Sequence, residues 1–348
     1  MKALLSCCLV VLLFISCVSK NSGEIEINID KALNCETSLM DICSSITITP
    51  LEQKDSMRFD ATDELVMNTT GNLFIVLNKR YNSLLVYGGN GGYITSITPH
   101  QEVLDFCVFQ DTYLDILITN GVIEYSLGDF TELHRFSFPD CTIELSSLDR
   151  RDNNVIVLAG FFKQIAYDCE YFINENTFIV MENPVCQASD YYKSRFFHKK
   201  DSTFFYYSTT GEITYYTSND FICPVYRWNF RGRKYQIDSS VSGGIPAGRF
   251  TNVQKAEDKI YLQFRLKEED YILIYDLSDG AYRVVHQTQE GVFFPIGVIR
   301  NNENYYCCHS AFLSNYVVSE LLDNDNQVNY SDCIANNNEL VIIRYSLK

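Results

Sequence analysis

From about residue 65 onward, short apolar runs alternate with turn-forming residues. Gly71-Asn72 opens Leu73-Phe74-Ile75-Val76-Leu77, Tyr81-Asn82-Ser83 turns into Leu84-Leu85-Val86-Tyr87, and Gly88 to Gly92 turns into Tyr93-Ile94-Thr95-Ser96-Ile97. Runs this short, separated by Gly and Asn, predict strands rather than helices. A lone small sheet cannot bury its own faces, so a chain that repeats such a unit must stack the copies.

The pattern recurs through Asp105 to Phe138, Leu148 to Met181, Arg195 to Phe230 and Thr251 to His286, and then in Ile296 to Arg300, Asn304 to Cys308 and Leu340 to Tyr345. The spacing of about 35–50 residues is that of four-stranded propeller blades. The last unit shows only three strands. Ile46 to Leu51 is an unassigned alternating run, and pairing it with Leu340 to Leu347 completes the sheet and closes a ring, which removes exposed edges. The expectation is an all-β fold, a six-bladed β-propeller with four-stranded blades over residues 46–348. Before it, Ile25 to Ile29 predicts a short strand and Ser38 to Cys43 one helical turn. Within the last unit, Leu313, Val317, Val318, Leu321 and Leu322 predict a short rim helix over Ala311 to Leu322.

The N-terminus changes the picture of where this object resides. Lys2 followed by the apolar Ala3 to Ile15 is too short to span a bilayer and predicts a signal peptide over residues 1–16. Phe14-Ile15-Ser16-Cys17 looks like a bacterial lipobox, with Cys17 as the lipidated residue and 17–45 as tether and lead-in; ordinary cleavage with Cys17 incidental is the other reading. Phe14 departs from the usual Leu. Export permits disulfides, and Cys35 with Cys43 and Cys169 with Cys186 are the pairs to test, although buried free thiols fit most of the cysteines. A formal net charge of −16 disfavours nucleic acid and anionic lipid headgroups as partners.

Candidate chemistry is sparse. No Gly-x-Ser-x-Gly, His-Glu-x-x-His, Cys-x-x-Cys or P-loop pattern occurs. Gly88 to Gly92 joins two strands and reads as a hairpin turn rather than a phosphate loop. Cys307 and His309 share one strand face, but two ligands do not hold zinc, and no metal or cofactor is expected. Asp323-Asn324-Asp325-Asn326 resembles the opening of a calcium loop, yet Gln327 stands at the next acidic position and the loop glycine is missing, so a solvated turn is expected. Arg227, Arg231 and Arg233 concentrate positive charge in an acidic chain and are the candidate ligand-binding residues, for a carboxylate, phosphate or sulfated sugar; snorkelling from a blade edge is the alternative. The doublets Tyr191-Tyr192, Tyr206-Tyr207 and Tyr215-Tyr216 suit core packing better than sugar stacking. Asp55-Ser56-Met57 and Asp201-Ser202-Thr203 look like O-glycosylation acceptors.

With the lipobox, the lead-in Ile27 to Ala32, Leu39-Met40-Asp41-Ile42 before Ile46 to Glu52, Pro224-Val225-Tyr226 with Asn229-Phe230, Phe293-Phe294-Pro295 and the terminal Leu340 to Lys348, the chain resembles the six-bladed β-propeller lipoproteins of Bacteroidota. Thr98-Pro99-His100-Gln101-Glu102 replaces the Gly-rich loop that many members carry between the first two blades. The resemblance implies an exported protein, lipid-anchored to a bacterial membrane, acting as a ligand- or protein-binding module with a protein, peptide or glycan partner. A hydrolase or lyase acting on glycans in the propeller funnel is the alternative, since fold does not decide between them.

Overall fold

The computed structural model describes residues 24–32, 36–54, 58–63, 65–139, 142–162, 165–187, 196–199, 202–206, 212–216, 222–231, 248–266, 269–336 and 340–348. Two strands precede the repeats, β1 (Glu24–Asn28) and β2 (Cys43–Pro50), with the single turns α1 (Ile29–Ala32) and α2 (Leu39–Ile42) between them. A first sheet follows from β3 (Val66–Thr69), β4 (Leu73–Asn78), β5 (Ser83–Gly88) and β6 (Tyr93–Ile97). A second has β7 (Val103–Phe109), β8 (Tyr113–Ile118), β9 (Gly121–Ser126) and β10 (Glu132–Ser137), and a third β11 (Glu144–Arg150), β12 (Val155–Phe162), β13 (Ile165–Phe172) and β14 (Thr177–Gln187). Next come β15 (Phe196–Lys199), β16 (Ser202–Tyr206), β17 (Glu212–Tyr216) and β18 (Ile222–Arg231), then β19 (Gly248–Ala256), β20 (Lys259–Leu266), β21 (Glu269–Asp276) and β22 (Tyr282–Val285). The last strands are β23 (Val298–Arg300), β24 (Glu303–His309) and β25 (Leu340–Leu347).

The fold is an all-β propeller of four-stranded antiparallel blades. Blades of that form number five, not the six expected, because the sheet of β15 to β18 carries a fifth strand. β1 adds to β18 in parallel, with Glu24 opposite Arg227 and Asn28 opposite Arg231. The reason lies in the alternation of Ile25, Ile27 and Ile29. Ile27 and Ile29 are fully buried in a cluster with Trp228, Val253, Leu262 and Phe264, so docking β1 there removes two large aliphatic side chains from water. Burial of each is worth about 1.5–3 kcal/mol.

At the other end of the lead-in, β2 pairs antiparallel with β25, from Cys43 opposite Leu347 to Pro50 opposite Val341, as the sequence predicts. α2 delivers the chain to this strand. Ser38 caps it in a reciprocal capping box with Asp41, and Glu290 accepts from Leu39 N–H at 2.9 Å and from the Ser38 hydroxyl. The apolar cores lie between adjacent sheets: one cluster joins the β3 and β7 sheets, another the β7 and β11 sheets, a third the β19 sheet to that of β23 to β25, and a fourth closes the latter onto the β3 sheet.

Three local expectations are corrected. Ala311 to Leu322 forms two short 3-10 helices, Ser310–Asn315 and Ser319–Leu321, rather than one helix; their apolar residues Leu313, Val317 and Leu322 are nevertheless buried. The α-helix is the polar segment after it, α3 (Asn324–Asn336). Asp323, read as a turn, is its cap and accepts from Asn326 N–H at 2.9 Å. Finally, Cys43 and Cys169 are buried free thiols, so neither proposed disulfide forms through them. For Cys169 the register explains why: it stands opposite Val180, while the far end of β14, near Cys186, lies opposite Ile165.

Candidate functional site

Strands β3, β7, β11, β19 and β23 face the axis. β19 touches β15 and β23, β23 touches β3, β3 touches β7, and β7 touches β11, and side chains of β3, β7, β11, β19 and β23 line one cavity of about 870 Å³. Its lining mixes signs. Asp63, Asp105, Asp111, Asp149 and Asp152 stand with Lys79, Arg151, Lys255 and Arg300.

One mouth is built from the turns that lead out of the innermost strands. Gln110 and Asp111 have φ of 51° and 55°, Asn301 and Asn302 of 49° and 62°, so both turns carry two successive left-handed residues, which suits strand twist. This geometry presents Asp111 to Arg300, and the two form an ion pair that reaches past the intervening β3 blade. At the opposite mouth, where β24 ends, stand His309, Phe312 and Asp63. His309 Nδ1 accepts from Ala311 N–H at 3.2 Å, and burial holds the imidazole below its ordinary range, so the neutral ring carries its proton on Nε2. The Phe312 ring is 40% exposed. Arg80 pairs with Asp60 and lies 3.3 Å from Asp63.

Much of the polar lining is occupied in holding blades together. Asn252 Nδ2 donates to the carbonyls of Ile296 and Gly297 at 2.9 and 3.1 Å, Gln263 accepts from Ile296 N–H at 3.3 Å, and Asn304 accepts from Gly297 N–H at 2.8 Å while donating to the Pro295 carbonyl at 2.8 Å. These amides replace the ladder partners that an irregular connection between two sheets lacks.

The seam between the β7 and β11 blades is held by charge. Arg150 Nη1 lies 3.3 Å from Asp115 Oδ2 and pairs with Glu124, its Nε and Nη2 donate to the carbonyls of Asp152 and Asn153 at 3.2 Å each, and its plane sits 4.8 Å from the Phe109 ring. Asp105 accepts from Leu148 N–H at 3.0 Å across the same seam. Burial pushes the carboxyls of Asp105 and Asp115 up to about 7, against the pull of the Leu148 N–H on the first and of Arg150 on the second.

The predicted site residues fall elsewhere. Arg227 and Arg231 have their backbones on β18, the fourth strand from the axis, and their side chains, like the whole of Arg233 and Cys17, lie outside the described residues. So do Asp55-Ser56-Met57, Asp201 and the side chains of the tyrosine doublets. Cys307 and His309 do border the channel, but burial pushes the Cys307 thiol up to about 12 and the His309 Nδ1 lone pair is taken by Ala311. Sequence reasoning missed Asp115 and Glu124. Each sits inside an apolar run, Leu114 to Ile118 and Val122 to Tyr125, and they are register partners on β8 and β9; a charged residue opposite another in two buried strands was the available signal.

No family model matches the chain, and no curated protein matches it in sequence. The fold is similar to that of a Bacteroides fragilis protein described as exported, with a TM-score of 0.62 and 12% identity over 93% of this chain and 99% of that one. It is also similar to a member of the DUF4221 family from Bacteroides vulgatus, with a TM-score of 0.52 and 6% identity over 88% and 98% of the two chains. Virginiamycin B lyase from Staphylococcus aureus is a looser likeness, at a TM-score of 0.45 and 11% identity over 71% of this chain and 76% of that one, too loose to bear on activity. At these identities the likeness is one of fold.

Proposed function

We propose that this chain is an exported propeller, held at a bacterial membrane by a lipid on Cys17, whose axial channel binds a small ligand or a segment of a partner. Among the described residues no helix is long and apolar enough to cross a membrane. In this reading the five-stranded sheet serves as the sixth blade of the ring, in keeping with its contact between β15 and β19. The observation that carries the binding role is the channel itself, about 870 Å³ with cations and carboxylates distributed over innermost strands from several blades. That volume falls in the range of ligand-binding pockets. Arg227, Arg231 and Arg233 are proposed, from their positive charge in an acidic chain, as a second determinant for anionic groups of a longer ligand.

A second reading, a hydrolase or lyase acting on glycans, draws support from Asp105, a channel-wall carboxyl pushed up to about 7 by burial, where a general acid would stand. Its oxygen is engaged by Leu148 N–H, which favours a role in the wall over one in chemistry.

The test is an array of neutral and sulfated oligosaccharides and of peptides, probed with the full chain, with Ser146→Trp and Thr251→Trp, which fill the channel, and with Arg227→Ala/Arg231→Ala. Binding lost in both channel-filling variants, with sulfated probes weakened further by the arginine pair, is the expected result. Retention of every interaction in both tryptophan variants would remove the channel from the account.

A further inference from the structure

The seam between the β7 and β11 blades holds more buried acid than base. Asp115, Glu124 and Asp105 are 0%, 4% and 6% exposed, and one guanidinium, that of Arg150, stands against the first two. Its N–H groups are engaged by Asp115, Glu124 and the carbonyls of Asp152 and Asn153, and none of these contacts goes to Asp105. Phe109 and Tyr113 cover it at 4.8 and 5.7 Å, so water cannot screen the excess charge from that side. A buried carboxylate that cannot be neutralised by a cation is neutralised by a proton.

We propose that this seam is a proton-binding site: Asp115 shares the one guanidinium of Arg150 with Glu124, Asp105 lies buried with the Leu148 N–H and no Arg150 contact, and the folded chain binds protons on these two carboxyls. Protonation converts a carboxylate into a carboxylic acid with no other bond changed. Every group packed against the pair acts in this balance. From β7 comes the Cys107 thiol, from β9 Glu124, and from β11 Asp149 and Arg150, while Lys79 acts on Asp105 from the β4–β5 turn. His134 on β10 lies 3.9 Å from the outer oxygen of Glu124. Arg151, next along, is paired with Glu170 on β13 at 2.9 Å. Asp105 and Asp149 also line the channel, so the charge of the channel wall follows the occupancy of the site. The inference stands apart from any particular ligand.

The sign is fixed by linkage. A carboxyl raised in the folded state from 3.8 to about 7 binds a proton that the unfolded chain has released, so stability falls as pH rises between those values and is level above them. His309, held low by burial, acts with the opposite sign near the top of that window, so a variant at the same pH is the needed reference. Thermal unfolding from about pH 5 to about pH 8 is measured for the wild type, Asp105→Asn and Asp115→Asn, each keeping an oxygen acceptor but no titratable proton. The midpoint of the wild type should fall across this range more steeply than that of either variant, by about one bound proton per substitution. Infrared difference spectra of the folded wild type near neutral pH should show a protonated carboxyl stretch that weakens in each variant. Equal slopes in all three proteins overturn the proposal. Should a variant fail to fold, absence of the carboxylic acid stretch from the wild type overturns it alone.

Discussion

Gly91 adopts φ 84°, and a methyl group on it would lie 2.0 Å from the Pro50 carbonyl oxygen. Both facts have one cause, the turn between β5 and β6 that presses its tip against the end of β2. Gly91→Ala is therefore expected to lower stability by about 1–3 kcal/mol, read from the midpoint of chemical denaturation. Gly128→Ala, where the added carbon meets only the Ser126 hydroxyl at 3.5 Å, should stay within about 0.5 kcal/mol and serves as the control. The turn was legible from Gly88 to Gly92 because glycine marks backbone that other residues avoid. What a turn packs against is not written locally, and neither was the buried cluster around Arg150. Its members come from three strands of one blade and one strand of the next, and each looks like an isolated charge when the chain is read in order.

At the scale of elements, α3 is placed by side-chain amides as well as by Cys333, Tyr330 and Ile334, which pack on the core. Asn326 Oδ1 accepts from Ile48 N–H at 2.8 Å and Asn329 Nδ2 donates to the Ile48 carbonyl at 3.1 Å. Two asparagines three apart on a helix thus stand in for a fifth strand on the outer edge of β2, satisfying backbone groups that would invite another chain. Replacing both with alanine should cost about 1–3 kcal/mol, the penalty for an unsatisfied buried N–H, and promote self-association, seen as concentration-dependent sedimentation. An unchanged midpoint with no association would show that the helix is dispensable to the edge. The strands themselves were readable because four- to eight-residue apolar runs between Gly, Asn and Asp permit little else. The helix was misplaced because periodicity finds apolar stripes, and here the apolar stretch went to tight 3-10 turns while a polar stretch made the helix.

For the whole molecule, the pairing of β2 with β25 puts the lead-in strand and the last strand into one sheet, so early and late parts of the chain hold each other. Lys348 N–H donates to the Ile42 carbonyl at 3.0 Å, extending the contact to the final residue. The repeat length made this arrangement legible; the addition of β1 to β18 was not, since a parallel partner some 200 residues away leaves no local trace. The proposed lipid on Cys17 is tested at this scale as well. Cys17→Ala is expected to move the protein from the membrane to the soluble fraction on cell fractionation, with the melting transition unchanged because the substitution precedes β1. Equal membrane partitioning of the variant would reject the lipid.

The parallel alignment of β1 has a mechanical side. Tension applied to the polypeptide ahead of Glu24 runs along the strand, and the rungs from Glu24 opposite Arg227 to Asn28 opposite Arg231 share the load in shear instead of peeling one by one. Were the chain tethered ahead of Glu24, as proposed, that load would reach the sheet of β15 to β18 first.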